Sequence, residues 1–269
     1  MNQTRTVNPE VLYRVEDGIA VITLNRPERM NTISRTMLAE LSAHLVDADR
    51  DREVRAIILT GTGRAFCAGL DLTEATSGGD GIGSSATAAT DLDLRDAPPT
   101  VLFNLGKPTI CAMNGSAAGY GMDTALGCDI RLMAQGAKMA AAFTKRGIVP
   151  ESGGTWFLPR LIGWSRAAEV IFTGRTLSAE QCVEMGLASR VVAPEALMDE
   201  AMALAREIAA NAPLAVQAAK KMMRMGLSET FNDHVHHVFL QLLPLLRTRD
   251  AAEGMRAFME KREARFEGR

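Results

Sequence analysis

The stretch from Ala112 to Ile130 constrains this chain more than any other. An apolar run from Thr109 to Met113 predicts a buried strand. It breaks at Asn114-Gly115, small residues then allow a tight turn, and Met122 to Leu126 resumes a helical pattern. Gly119 and Gly121 fall where that helix should begin, so the amides around Tyr120 are unpaired donors at the positive end of a helix dipole. Such a turn is a ready anion site. A second donor is offered by Phe66-Cys67-Ala68-Gly69-Leu70-Asp71-Leu72, which follows a predicted strand over Ala56 to Thr60.

The surrounding pattern is that of an α/β chain. Val11 to Glu16 and Ile19 to Leu24 alternate as strands around Asp17-Gly18, a strong hairpin signal. Ser34 reads as the N-cap of a helix with Met37, Leu38, Leu41, Leu45 and Val46 on its apolar stripe. Arg55 to Gly61 is the next strand, so right-handed crossovers and parallel pairing are expected. Thr76 to Thr90 holds Gly, Ser, Thr and Ala with little to bury, and reads either as a plain mobile loop or as one that closes over a substrate. Asp91 to Leu105 predicts a helix interrupted or bent by Pro98 and Pro99. Strands near Arg131 to Ala134 and Lys138 to Ala141, a loop over Arg146 to Gly154, and helices over Trp156 to Ile162, Arg166 to Phe172 and Ala179 to Met185 follow. Val191 to Pro194 marks a boundary, beyond which everything is helical: Glu195 to Asn211, Pro213 to Met225, Ser228 to Arg247 and Asp250 to Lys261. The expected division is a core over 1–194 and a helical region over 195–269.

Composition excludes several classes. A net charge of −2 and the lack of a Lys/Arg block with interleaved aromatics argue against nucleic acid. No run approaches the roughly 20 apolar residues of a membrane span. Met1 to Glu10 is too polar for a signal peptide, so the cytoplasm is the expected compartment. Cys67, Cys111, Cys128 and Cys182 form no CxxC pair and read as reduced, mostly buried thiols. Gly61-Thr62-Gly63 lacks the third glycine of a dinucleotide fingerprint. Of His234, His236 and His237, only the first and last share a helix face, and no motif completes a metal site. Ser116 does not sit in a nucleophile elbow.

Five motifs, in order, resemble the crotonase family, also called the enoyl-CoA hydratase/isomerase family: Leu24-Asn25-Arg26-Pro27, Phe66 to Leu72, Asn114 to Ile130, Gly147 to Thr155, and Gly254 to Arg262. The resemblance implies a spiral of ββα units with a C-terminal helical trimerisation region, in trimers or paired trimers. It implies an acyl-CoA thioester substrate, with coenzyme A carried as part of that substrate and no metal or redox cofactor. By resemblance, the amides of Leu70 and Tyr120 are the donors that hold a thioester enolate oxygen, and Tyr stands where the family usually has Gly. Coenzyme A is expected along Arg29 to Asn31 and along Ala68, Leu70, Asp71, Leu72 and Thr73, beside Tyr120. Phe258 and Lys261 of the last helix are expected at the nucleotide, often from a neighbouring subunit. On spacing alone, those two residues are equally an ordinary amphipathic face.

Acid–base chemistry departs from the hydratase pattern. Hydratases of the family use two glutamates, at the positions occupied here by Asp123 and Phe143. A phenyl ring transfers no proton. A different carboxylate, Glu151, stands where hydratases usually have Gly and where dienoyl-CoA, enoyl-CoA and ring-opening phenylacetate-pathway isomerases have Asp or Glu. One carboxylate can take a proton from C2 and return it to C4, so Glu151 is the expected base, with desolvation by Phe143, Trp156 and Phe157 raising its pKa. Its competing reading is a cap on the helix near Gly153. Asp123 either assists proton transfer or holds a water, as hydratase-like positions do, or is a structural acceptor with a shorter reach than Glu. The expected activity is an enoyl-CoA double-bond shift; the rivals are hydration of a 2-enoyl-CoA and non-catalytic acyl-CoA binding.

Overall fold

A computed structural model describes residues 9–71, 73 and 97–269. Leu72, the segment from Thr76 to Thr90 and the first part of the helix expected from Asp91 lie outside the described residues. Among the described residues, two sheets are wound together. The first has six strands in the order β1-β2-β3-β5-β7-β10, and the second four, β4-β6-β8-β9. β1 (Val11–Glu16) and β2 (Ile19–Leu24) form the antiparallel hairpin, and β2 pairs in parallel with β3 (Ala56–Gly61). β5 (Thr109–Met113), β7 (Ile130–Ala134) and β10 (Arg190–Val192) continue the parallel sheet.

Successive turns then step from the first sheet to the second. β3 leads to β4 (Ala65–Cys67), β5 to β6 (Ser116–Ala118) and β7 to β8 (Lys138–Ala140), with β9 (Thr176–Ser178) closing the edge antiparallel to β8. This is the expected ββα spiral. Asn114 fastens two of its turns: its amide donates to the carbonyls of Gly63 (2.9 Å) and Ala65 (3.2 Å), and its oxygen accepts from the Gly61 amide at 3.1 Å. Gly115 must be glycine, because a Cβ would stand 2.2 Å from the Arg64 carbonyl oxygen.

Helices cover the sheets. α1 (Arg35–Arg50) is capped by Ser34, which accepts from the Met37 amide at 2.9 Å. α2 (Pro98–Asn104) differs from expectation: Pro98 and Pro99 occupy its first two positions, so they start the helix rather than interrupt it. Proline's fixed φ suits that turn, and the missing N–H would have had no partner there. α3 (Tyr120–Gly127), α4 (Gly154–Ile162), α5 (Trp164–Thr173) and α6 (Ala179–Met185) follow.

Beyond Pro194 lie α7 (Leu197–Ala209), α8 (Pro213–Met225), α9 (Phe231–Leu245) and α10 (Arg249–Glu260). α7 still belongs to the packed interior, with Leu197, Ala201, Met202 and Ala205 buried in the common core. α8 is tied down by charge. Asp129 accepts from the Thr109 amide (2.8 Å), from Lys220 (2.6 Å) and from Arg224 (2.9 Å), pinning the starts of β5 and β7 to that helix. α9 buries none of its residues, although Phe231, Val235, Phe239, Leu240 and Leu243 lie along it. At its start, His234 and His237 both reach Glu229, at 3.0 and 2.9 Å. The tail after α10 returns to the beginning of β3, where Arg55 donates to the Phe266 carbonyl at 2.6 Å.

Candidate active site

The donor turn at α3 is built by glycine. Gly119 has φ +54° and ψ −125°, a conformation that side chains disfavour, and its amide donates to the Ala140 carbonyl at 3.0 Å. Asp123 N–H closes the first helical turn on the Gly119 carbonyl at 3.1 Å. The Tyr120 amide has no such partner among the described residues and remains an open donor at the helix start.

The second expected donor is the amide of Leu70. Ile33 and Leu70 form an isolated parallel bridge, in which Ile33 N–H donates to the Gly69 carbonyl (2.8 Å) and Asp71 N–H to the Ile33 carbonyl (2.9 Å). In a parallel bridge of this register the Leu70 amide points away from Ile33. Gly69, at φ +102°, lets the two turns meet: a Cβ there would stand 2.9 Å from the Ala118 carbonyl oxygen and 3.8 Å from the Tyr120 nitrogen. Gly121 packs on β4 so closely that a Cβ would be 2.7 Å from the Cys67 sulfur. Burial pushes the Cys67 thiol up to about 12, so it is an inert packing group.

Asp123 of the same helix reaches the loop before α4. Asp123, fully buried, accepts from the Gly154 amide and from the Ser152 hydroxyl, both at 3.1 Å and both on Oδ2. It thereby caps α4 from another element. The N-cap residue of that helix is Gly153, which has no side chain to supply a cap of its own. Oδ1 of Asp123 has no hydrogen-bond partner, and neither has the hydroxyl of Tyr120; among the described residues these are the only buried side-chain nitrogen or oxygen atoms so placed. Desolvation raises Asp123 to about 7, against the lowering pull of the Gly154 amide and the Ser152 hydroxyl. Partial desolvation also raises Glu151, again opposed by Ser152. The Tyr120 phenol is pushed well above its ordinary range by burial and then by the nearby charges of Glu151, Cys67 and Asp123.

Phe143 is buried, and its ring carbons lie 3.9 and 4.0 Å from where a Cβ on Gly119 would stand. Trp156 and Phe157 pack edge to face against each other and against Phe103. An apolar cleft of about 370 Å³ is walled by Ile148, Val149, Pro150, Pro159, Ala167 and Ile171.

Of the residues expected along coenzyme A, Arg29 to Asn31 and Ala68 to Asp71 are brought together, the Ala68 amide donating to the Met30 carbonyl at 3.1 Å. Arg29 and Thr73 are exposed, whereas Asp71 is buried, paired with Arg26 at 3.1 Å and accepting from the Thr73 amide at 3.1 Å. Leu72 lies outside the described residues. Phe258 and Lys261 are not brought to the donor turns by any hydrogen bond: Phe258 is 84% exposed, Lys261 ends α10 in a left-handed conformation, and the tail beyond them is anchored at the opposite end of β3.

The family model described as enoyl-CoA hydratase/isomerase matches residues 14–269. The chain belongs to the enoyl-CoA hydratase/isomerase family. It is 39% identical to the 1,2-epoxyphenylacetyl-CoA isomerase of Escherichia coli, across 96% of this chain and 98% of that one. A probable enoyl-CoA hydratase of Rhodobacter capsulatus is 37% identical across 96% and 98%. Among solved structures, an enoyl-CoA hydratase from Bacillus anthracis superposes with a TM-score of 0.89 at 34% identity, covering 97% of this chain and 100% of that one. Relatives bearing both activity names surround this member of the enoyl-CoA hydratase/isomerase family.

Sequence reading passed over Ser152 and the capping of α4 by Asp123. A hydroxyl beside an acid, just before a helix start, was the available signal for Ser152. The cap joins residues 31 positions apart, so nothing local announces it.

Proposed function

We propose that this enzyme shifts the double bond of an enoyl-CoA, with Glu151 as the proton-carrying base and the amides of Leu70 and Tyr120 holding the enolate oxygen. The observation that carries this reading is the division of labour among the carboxyl positions. Asp123 is closed off and used as a helix cap, Phe143 is a ring, and Glu151 is the carboxyl whose side chain still reaches solvent. Glu151 removes a proton from C2 of a 3-enoyl-CoA. Charge then builds on the thioester oxygen, where two fixed amide dipoles stabilise it with no change in their own protonation. The same carboxyl, now protonated, returns the proton to C4. Desolvation of Glu151 brings it nearer the working pH and makes it a better base.

The coenzyme A portion is assigned to Arg29, Ala68, Leu70, Asp71, Leu72 and Thr73, with Asp71 acting through the Arg26 pair that holds its loop. Phe258 and Lys261 reach the nucleotide from a neighbouring subunit in a trimer or a dimer of trimers, which the uncovered apolar face of α9 supports.

Hydration of a 2-enoyl-CoA is the second reading. The unsatisfied Oδ1 of Asp123 favours it, because a water there would be activated by a carboxylate. The experiment compares wild type with E151Q on a 3-enoyl-CoA and a 2-enoyl-CoA, following the conjugated thioester. Loss of isomerisation by roughly two orders of magnitude or more in E151Q is expected. Wild type that only hydrates, with E151Q unaffected, overturns the assignment.

A further inference from the structure

The Leu70 loop is held from outside by the segment running from Arg26 to Ile33, and that segment is locked into a costly shape. Met30 and Asn31 both have positive φ, +53° and +54°, a backbone that methionine rarely adopts. Asn31, buried, fixes the turn with its side chain: its oxygen accepts from the Arg26 amide at 2.8 Å, and its nitrogen donates to the carbonyls of Thr62 (2.9 Å) and Ala65 (2.8 Å). Strain of this kind persists only where the surroundings over-determine it. What the turn delivers is a backbone edge. The Met30 carbonyl accepts from the Ala68 amide, the Ile33 amide donates to the Gly69 carbonyl, and the Ile33 carbonyl accepts from the Asp71 amide.

Arg26 staples that edge. Its Nη1 donates to the Thr32 carbonyl at 2.7 Å, its Nη2 donates to Asp71 Oδ2 at 3.1 Å, and its Nε lies 3.3 Å from Glu10 Oε1. Thr32 immediately precedes Ile33 and Asp71 immediately follows Leu70, so the guanidinium spans the Ile33–Leu70 bridge. The Arg26 side chain is 12% exposed and that of Asp71 5%, so salt screens the pair little, and the planar fork sets its geometry. Asp71 Oδ1 accepts from the Thr73 amide at 3.1 Å, which holds the carboxylate from its other side. Resting on the reading of the Leu70 amide as an enolate donor, we propose that Arg26 is a positioning residue for the reaction. By clamping Thr32 to Asp71 it fixes the direction of the Leu70 N–H, and with it the strength with which the thioester oxygen is polarised. An amide donor of this kind works because it does not reorganise as charge develops. Without the clamp the bridge is free to turn, and the same amide must be re-aimed at every turnover. Arg26 acts through this loop alone.

The test uses the full chain and a 2-enoyl-CoA that carries a 4-dimethylaminophenyl group at C3. This probe has no hydrogen on C4 to move, and its absorption shifts to longer wavelength as hydrogen bonds polarise the thioester carbonyl. Spectra of the bound probe are recorded at saturation, which removes any effect on affinity, for wild type, R26M, D71A and D129A. The first two variants each remove one end of the clamp, and D129A breaks the ion pairs at α8 instead. With the Tyr120 amide as the remaining donor, R26M and D71A are expected to keep less than about half of the wild-type red shift, and D129A nearly all of it. Where one clamp variant does not fold, the other decides. A full wild-type shift in either clamp variant, or an equal loss in D129A, overturns the proposal. A wild type whose bound spectrum matches that of the free probe overturns the assignment of the amide donors, on which the proposal rests.

Discussion

Replacing Asp123 with Asn should stabilise this protein at alkaline pH. The carboxyl has an ordinary value of 3.8 and is raised to about 7 in the fold, chiefly by desolvation. At about 1.4 kcal/mol per pH unit, that gap corresponds to about 4 kcal/mol carried by the folded state once Asp123 is ionised. The sign follows from proton counting. Between 3.8 and about 7 the folded chain holds a proton that the unfolded chain has released, so stability falls as pH rises through this window and then levels off. Below pH 4 or so both states are protonated and the contribution vanishes. Asparagine keeps a carbonyl oxygen for the Ser152 hydroxyl and the Gly154 amide, and its amide nitrogen simply inherits the unpartnered position of Oδ1. It carries no charge at any pH. Structural relaxation trims the gain, so D123N should exceed wild type by about 2 to 4 kcal/mol at pH 8.5, with the margin shrinking toward zero near pH 4. Urea unfolding followed by far-ultraviolet circular dichroism, at one protomer concentration and both pH values, measures it. A D123N protein no more stable than wild type at pH 8.5, or more stable by the same margin at both pH values, would refute the reasoning.

Removal of Asp129 should act in the opposite sense: D129A leaves Lys220 buried without its counter-charge and should cost about 3 to 5 kcal/mol in the same unfolding assay. F143E restores a carboxylate at the position the hydratases use, and should raise water addition to a 2-enoyl-CoA relative to isomerisation, read as 3-hydroxyacyl product by chromatography. A double substitution on the exposed face of α9, F239E with L243E, tests the proposed trimer: sedimentation velocity should report a lower mass than for wild type, because two charges oppose burial of the apolar patch at an interface.

Legibility in the sequence followed the range of the forces involved. Ser34, Asp17-Gly18 and the uninterrupted apolar run of β3 act within a few residues, and each is found where its pattern puts it. α6 and α8 match their expected limits, Ala179–Met185 and Pro213–Met225. The three-residue strands β6 and β9 were not legible, since three residues carry no period and their pairing partners lie far along the chain. Pro98 and Pro99 misled because proline signals a helix start and a helix break alike, and only the position of the first turn decides. At the site, the two glycine-built turns could be read, as could the substitution of Phe143 and the presence of Glu151. What could not be read was the use of Asp123: its partner amide belongs to another helix, and its cost depends on burial that no single window of sequence reports.

The winding of the chain distributes the chemistry in separate pieces. Leu70 sits at the end of the turn through β4, Tyr120 at the end of the turn through β6, and Phe143, Glu151 and Ser152 on the loop that follows β8. Under the proposed mechanism, polarising the thioester and moving the proton are therefore heritable independently: the loop from 143 to 152 can be rewritten while the Leu70 and Tyr120 amides stay in place. A laboratory library confined to that loop would vary the reaction on a fixed activating scaffold. One that spread changes over the glycine turns would remove the proposed amide donors before a new outcome could be selected.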